Sequence, residues 1–334
     1  MPRVEQTDWL ETFVAVIDHG SFSEAGRALH RAQSRVSTHV AALERALGGT
    51  LVDRSHRPIG PTELGTAFLP HARAVLAALE RGAEAVDAWS GSPRGRVVIG
   101  CHPSVSAGFL PQVLADLHLA HPHLRVELTE HTTPDLASGI AAGRFNIAIH
   151  SWVGDPPPDE LRTEHLWTER FVAIVPPGHV VMDQVVEDPD DHAQQGSGEP
   201  RAVMLPPDAL DGPPLVAVAR PGAHIDPDTG SALRAWGLEI PVAWQSEQPQ
   251  TVVNLVRAGL GIGVLNSLAA SVSDTHGVHV VPVGTMGAGR KVVATRDRRT
   301  ESSPSIDAVF SAILEGAPPD GVRPAPSSQG RSAP

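Results

Sequence analysis

Between residues 9 and 69 the chain sets three short helical periods in a row, with a very short break between the second and third and a long helical run after them. Few folds accommodate that order. Trp9, Leu10, Phe13, Val14 and Ile17 recur at three- and four-residue spacing, which gives the first helix one apolar face. Ser21-Phe22-Ser23-Glu24 has the form of a capping box, in which the Ser21 hydroxyl and the Glu24 carboxylate each satisfy an orphan backbone amide. The helix it starts turns Ala25, Ala28 and Leu29 inward and ends near His30, and the next begins at about Gln33. Two helices so closely joined predict a helix-turn-helix.

In the third helix Val36, Val40, Leu43 and Leu47 share one side, and Ser34, Thr38, Ala41, Ala42 and Arg45 the other, with Arg35 beside them. Small side chains let a helix enter a groove, and hydroxyls and guanidinium groups can read base edges there. From Arg27 to Arg57 six arginines face only Glu44 and Asp53, a local charge of +4 in a chain whose formal net charge is −12. An acidic chain binds nucleic acid only through a segregated basic surface of this kind. These positions predict Arg31, Gln33, Ser34, Arg35, Ser37 and Thr38 near a major groove, and Arg54 and Arg57 on a wing near phosphate or minor groove. The competing reading is a solvated helical surface.

Thr62 can cap a helix running to about Ser90, about 43 Å long. Leu64, Phe68, Ala72, Val75, Leu79, Ala83 and Val86 line one side of it in steps of four or three. Such a seam packs either on a partner helix or on its own domain. From Arg96 onward short apolar strands alternate with helical segments, the pattern of a parallel sheet with helices on both faces. Residues 183–203 are polar, acidic and without a period, as a mobile surface loop would be, and 316–334, rich in Pro, Ser and Gly, reads as disordered.

The 334 residues allow two or three cores. A single cysteine rules out an intramolecular disulfide, and with neither a signal-like amino terminus nor a run of about 18 apolar residues a cytoplasmic, non-membrane protein is expected. Cys101 beside His102 suggests either a redox-sensing thiol or a small buried residue. His118, His121 and His123 suggest a metal cluster or, more simply, a surface group. No nucleophile elbow, phosphate loop or paired carboxylate motif occurs, and AGLGIG runs from helix into strand, opposite to the dinucleotide-binding order. Neither catalysis nor a cofactor is expected.

The stretch FVAVIDHGSFSEAGRALHRAQSRVSTHVAALERALGGTLVDRS followed by PTELGTAFLPHAR resembles the winged helix-turn-helix and linker helix of the LysR-type transcriptional regulators. RGRVVIGCHPSVSAGFLPQVLADLHLAHPHLRVEL, GRFNIAIHS, ERFVAIVPPGH and VVNLVRAGLGIGVL resemble, in order, that family's effector domain. One departure concerns the recognition helix. Ala32-Gln33-Ser34-Arg35-Val36-Ser37 stands where the family commonly has Ser-Gln-Pro-Ala-Val-Ser, so an operator sequence cannot be carried over.

The resemblance implies an α/β chain with a winged helix-turn-helix of all-α type at 1–61, a linker and dimerisation helix at 62–91 and a two-lobed, periplasmic-binding-protein-like effector domain at 92–315. Lobe I would take about 94–164 and 299–315, and lobe II about 165–298. It further implies a homodimer or homotetramer on inverted-repeat promoter DNA, RNA polymerase as a partner if the protein activates, and a small effector in the interlobe cleft. Ligands of such sheets sit beyond the carboxyl ends of strands. That places Ser104, Ser106, Thr132, Thr133, His150, Ser151, Arg220 and Ser246 at the cleft, where hydroxyls and helix amino ends suit an anion. Ser104, Thr132 and Thr133 also have a plainer role as helix caps. The rival to a regulator is a ligand-binding or enzymatic α/β domain that keeps a vestigial helix-turn-helix for dimerisation.

Overall fold

In the computed structural model, which describes residues 6–88, 93–152, 158–189, 202–219, 225–298 and 303–325, the first three helices close round one small core. Helix α1 (Thr7–His19) contributes Leu10, Phe13 and Val16, α2 (Phe22–Ala28) contributes Phe22 and Ala25, and α3 (Gln33–Leu47) contributes Val36, Val40 and Leu43. The capping box forms in one direction. Ser21 Oγ accepts the Glu24 amide at 3.5 Å, whereas the Glu24 carboxylate turns to Arg27, a charged partner one turn along the surface. Beyond α2 the chain reverses through His30, whose φ of 51° is the only positive value among described non-glycine residues. Gly26 permits this close turn, because a Cβ there would lie 2.7 Å from the Arg31 carbonyl oxygen.

Strands β1 (Val52–Asp53) and β2 (Gly60–Pro61) pair antiparallel into a wing with residues 54–59 at its tip. Thr62 Oγ1 then accepts the Gly65 amide at 3.0 Å and starts α4 (Glu63–Ala88), whose 26 residues extend about 39 Å. The expected seam divides along this helix. Phe68 and Ala72 pack on the winged domain itself, the Phe68 ring 6.0 Å from that of Phe13, because α4 crosses α1 there. Leu64, Val75 and Leu79 remain 47%, 46% and 53% exposed. Ala83 and Val86 belong to the helix, but their side chains lie outside the described set.

Lobe I is a six-stranded sheet of β3 (Gly95–Cys101), β4 (Leu124–Glu130), β5 (Ile147–Trp152), β6 (Leu161–Glu169), β14 (Arg290–Asp297) and β15 (Arg323–Pro324), ordered β15-β6-β14-β5-β3-β4. β3, β4 and β5 run parallel, and β14 is antiparallel to β5 and β6. Helix α5 (Pro103–Gly108) leads into α6 (Leu110–Ala120), which with α11 (Pro304–Glu315) covers one face round Ile99, Ile147, Trp167 and Phe310. α7 (Thr133–Ala141) covers the other with Leu136 and Ile140. Covered on both sides, β5 is buried from Ile147 to Ser151, apolar and polar residues alike.

Lobe II is a five-stranded sheet of β7 (Phe171–Val175), β10 (Leu215–Val218), β11 (Val242–Ser246), β12 (Ile262–Asn266) and β13 (His279–Val283), ordered β11-β10-β12-β7-β13. Helices α8 (Pro227–Ala235), α9 (Pro249–Arg257) and α10 (Ser267–Ser271) complete it. From α10, Leu268 enters the lobe I core, so the lobes share apolar contact as well as the crossing strands.

Three expected boundaries shift. β6 as far as Glu169 and β14 from Arg290 are hydrogen-bonded to each other within the lobe I sheet, so the lobes change hands there and not at 164 and 298. The acidic insertion is anchored at both ends, where β8 (Val186–Glu187) pairs with β9 (Val203–Met204) and Asp188 pairs with Arg170; residues 190–201 lie outside the described set. The tail is not structureless from 316, because β15 occupies the open edge of β6 and the Ala325 amide donates to the Leu166 carbonyl at 3.0 Å. An unpaired strand edge offers its backbone groups to such a segment. Residues 326–334 lie outside the described set.

Candidate functional site

Two surfaces carry the residues assigned from sequence. On the winged domain Gln33, Ser34, Arg35 and Thr38 are exposed along the amino-terminal half of α3, and Ser37 is half-buried beside them. Arg35 Nε reaches His39 Nε2 at 3.5 Å, and His39 Nδ1 lies 3.0 Å from Thr12 Oγ1. Thr12 and His39, unremarked in the sequence, thus pin α3 to α1 through a buried polar pair. Arg31 joins that pin. Its guanidinium donates to Thr12 Oγ1 at 3.2 Å and pairs with Glu11 at 2.9 Å and Asp8 at 3.5 Å. Only a fifth of its side chain is exposed, so Arg31 braces the turn and is less available to a groove than Arg35.

Arg54 follows β1 directly, with its guanidinium 5.0 Å above the Phe22 ring and 3.4 Å from Glu44. Glu44 Oε1 accepts the amides of Leu51 and Val52 at 2.9 and 3.2 Å, which fixes the wing to the carboxyl half of α3. Arg57 is exposed at the wing tip. Gln33, Ser34, Arg35, Thr38, Arg54 and Arg57 are thus all exposed on one domain.

Between the lobes a cavity of about 450 Å³ opens, lined by His102, Ser104, Glu130, Thr132, Thr133 and Asp135 from lobe I, by Asp226, Asp228, Glu247 and Asn266 from lobe II, and by Arg290 from the crossing strand. Of the residues assigned to it from sequence, Ser104, Thr132 and Thr133 line it. The others do not. Ser106 turns its hydroxyl to Glu130 and to the Pro103 carbonyl. His150 and Ser151 are buried behind the wall, because β5 is central in its sheet. Ser246 accepts the Gln248 amide at 3.2 Å at the edge strand β11, and Arg220 lies outside the described residues.

Thr133 is the hub of the site. Its Oγ1 lies 2.9 Å from Ser151 Oγ, 3.1 Å from His102 Nε2 and 3.3 Å from Asp228 Oδ2. Ser151 Oγ donates to Asp228 Oδ1 at 2.6 Å, so Ser151 reaches the site through Asp228 although it does not line the cavity. Asp228 belongs to lobe II and Thr133 and Ser151 to lobe I, so this carboxylate ties the lobes together. It is held in turn by Arg290, whose Nη1 and Nε donate to Asp228 and Glu169 at 2.7 Å each. Asp226 Oδ1 accepts the amides of Asp228 and Thr229 at 3.1 Å and starts α8. An Asp followed by Pro is a legible helix start, and Asp226-Pro227 was the available signal for this corner. Arg290, by contrast, follows a glycine-rich loop with no such mark.

Burial sets the protonation of the site. It pushes His102 down to about 3, assisted by Arg290, so the imidazole is neutral near pH 7. Burial alone would raise Asp228, but the Arg290 guanidinium and the Ser151 hydroxyl more than offset it and hold the carboxyl below its usual range. Asp226 is raised by its burial. Burial and the neighbouring Glu130 push the Cys101 thiol up to about 12, which makes it inert packing and removes the redox reading. Among the described residues no three His, Cys, Asp or Glu side chains gather as metal ligands, and His118, His121 and His123 stand on the outer end of α6 and the turn after it.

A winged helix-turn-helix joined by a long helix to a two-lobed cleft defines a class, the one-chain regulators that combine a DNA-binding and a ligand-binding domain. Residues 7–66 match the family model described as bacterial regulatory helix-turn-helix protein, lysR family, and residues 90–318 match that of the LysR substrate binding domain. The chain belongs to the LysR family of transcriptional regulators. It is 34% identical over 190 residues to the HTH-type transcriptional regulator ShiR of Corynebacterium glutamicum, covering 56% of this chain and 63% of that one. Its fold is similar to that of a full-length OxyR point variant from Pseudomonas aeruginosa, with a TM-score of 0.69 at 17% identity, over 97% of this chain and all of the other. Full-length CbnR complexed with its target DNA aligns with a TM-score of 0.59 at 19% identity, over 93% of this chain and all of CbnR. As relatives of this kind are regulators, the enzymatic rival has no support in them. No described helix is long and apolar enough to cross a membrane.

Proposed function

We propose that this regulator binds an inverted-repeat promoter site as a homodimer, or as a tetramer built from two dimers, and that a small molecule in the interlobe cleft alters its DNA contacts. A cytoplasmic location is part of that reading, and RNA polymerase joins the partners if the protein activates. The observation that carries it is one domain presenting Gln33, Ser34, Arg35 and Thr38 on an open helix face beside Arg54 and Arg57. A two-fold dimer reads two half-sites whose spacing matches its two recognition helices. As for the effector, hydroxyls at strand ends favour an anion, whereas the carboxylates of the lining oppose one.

Footprinting on the DNA flanking the gene tests the proposal. Two protected half-sites about one helical turn apart are expected. Arg35→Ala should flatten the preference for operator over random DNA by about 1–3 kcal/mol, and Arg57→Ala should weaken both alike and reduce the salt slope by about one. Equal loss on both DNAs for Arg35→Ala would take base reading away from that residue. Absence of any protected fragment would return the enzymatic or ligand-binding rival to first place.

A further inference from the structure

We infer that the interlobe cleft takes a cationic small molecule, an ammonium or guanidinium compound, because Asp228 already fills the hydroxyl cradle in which an anion would sit. This rests on the cleft being the effector site. Ser151 donates to Asp228 Oδ1 at 2.6 Å and Thr133 Oγ1 lies 3.3 Å from Oδ2, so the donors near the amino end of α7 serve the chain's own carboxylate. A second anion would find them occupied.

The rest of the lining has the same sign. Five carboxylates line the cavity, those of Glu130, Asp135, Asp226, Asp228 and Glu247, and Arg290 is the one arginine or lysine among the described lining residues. Even with Asp226, raised by its burial, set aside, four carboxylates outnumber one guanidinium by three. His102, neutral through burial, cancels none of them. The amino ends of α5, α7, α8, α9 and α10 open on the cleft, but at about half an elementary charge each they total less than three. About 450 Å³ suits a small cationic molecule.

The test uses the full-length protein, with thermal shift and calorimetric titration against putrescine, agmatine and L-argininamide on one side and succinate and benzoate on the other. At least one cation should bind below about 1 mM, raise the melting temperature, and weaken as salt rises. Glu247→Gln, at an exposed rim position that leaves the fold intact, should weaken that cation roughly two- to fivefold, and Asp228→Asn by about tenfold. Binding of succinate or benzoate without the cations would overturn the inference and leave the cleft as the effector site. Failure of every probe of either sign, with operator binding intact, would overturn the inference and the ligand-responsive reading together. Equal cation affinity in the wild type and both variants would place the bound cation elsewhere and also overturn it.

Discussion

At His102, burial in the cleft wall disfavours the imidazolium, and the folded protein therefore binds fewer protons than the unfolded chain between pH 6.5 and about 3. Stability rises with pH wherever the unfolded state holds more protons, so it should fall as pH drops through that window. His150 and His165, also lowered by burial, act in the same direction. Asp228 adds a loss only at lower pH, as its depressed carboxyl is finally protonated. The melting temperature should therefore decline from pH 7 to 5, and His102→Gln should flatten the slope by up to about 1.4 kcal/mol per pH unit. An unchanged slope in that variant would show that His102 is not the group responsible. Among single residues, Ser104, Thr132 and Thr133 were legible because a strand end followed by Ser or Thr and Pro is a local signal. Asp228 and Arg290 were not, since their roles depend on each other across 62 positions of sequence.

The elements themselves followed from periodicity, and the linker helix shows where that reasoning stops. One apolar stripe was visible from Leu64 to Val86, yet α4 turns Phe68 and Ala72 onto its own domain and leaves Leu64, Val75 and Leu79 in the open. A helix stripe states which residues avoid water and not which partner covers them. Leu79→Asp should weaken self-association by at least about tenfold in sedimentation while the monomer's melting temperature stays within about 2 °C. Phe68→Ala should do the reverse, lowering stability by about 1–3 kcal/mol with association little changed, because its contacts lie within the chain. A dimer unaffected by Leu79→Asp would move the interface off the exposed stripe.

Across the whole molecule, Arg73 on α4 is a buried strut between the two functions. One amino group donates to the Ala142 carbonyl at 3.1 Å, at the carboxyl end of α7, and another pairs with Asp18 near the end of α1. α7 carries Thr133 at its other end, so a single nine-residue helix separates the cleft from the contact that reaches the winged domain. Removing a charged hydrogen bond of this kind costs about 1–3 kcal/mol. Arg73→Ala should separate the thermal transitions of the winged and effector domains by several degrees in scanning calorimetry. A variant that melts like the wild type would show that the domains are coupled through other contacts.

By itself the sequence determined the order of elements and the chemistry each could carry. Three- and four-residue spacing, the Ser21 and Thr62 caps and the clustered arginines act within a few residues, where the chain's own geometry decides the outcome. Only the tertiary structure decided which strands join which lobe, which half of the seam is covered and what sign of charge the cleft presents. Those depend on groups far apart in the chain, such as β6 against β14 or Asp228 against Thr133, whose meeting is set by packing of the whole core and leaves no local mark.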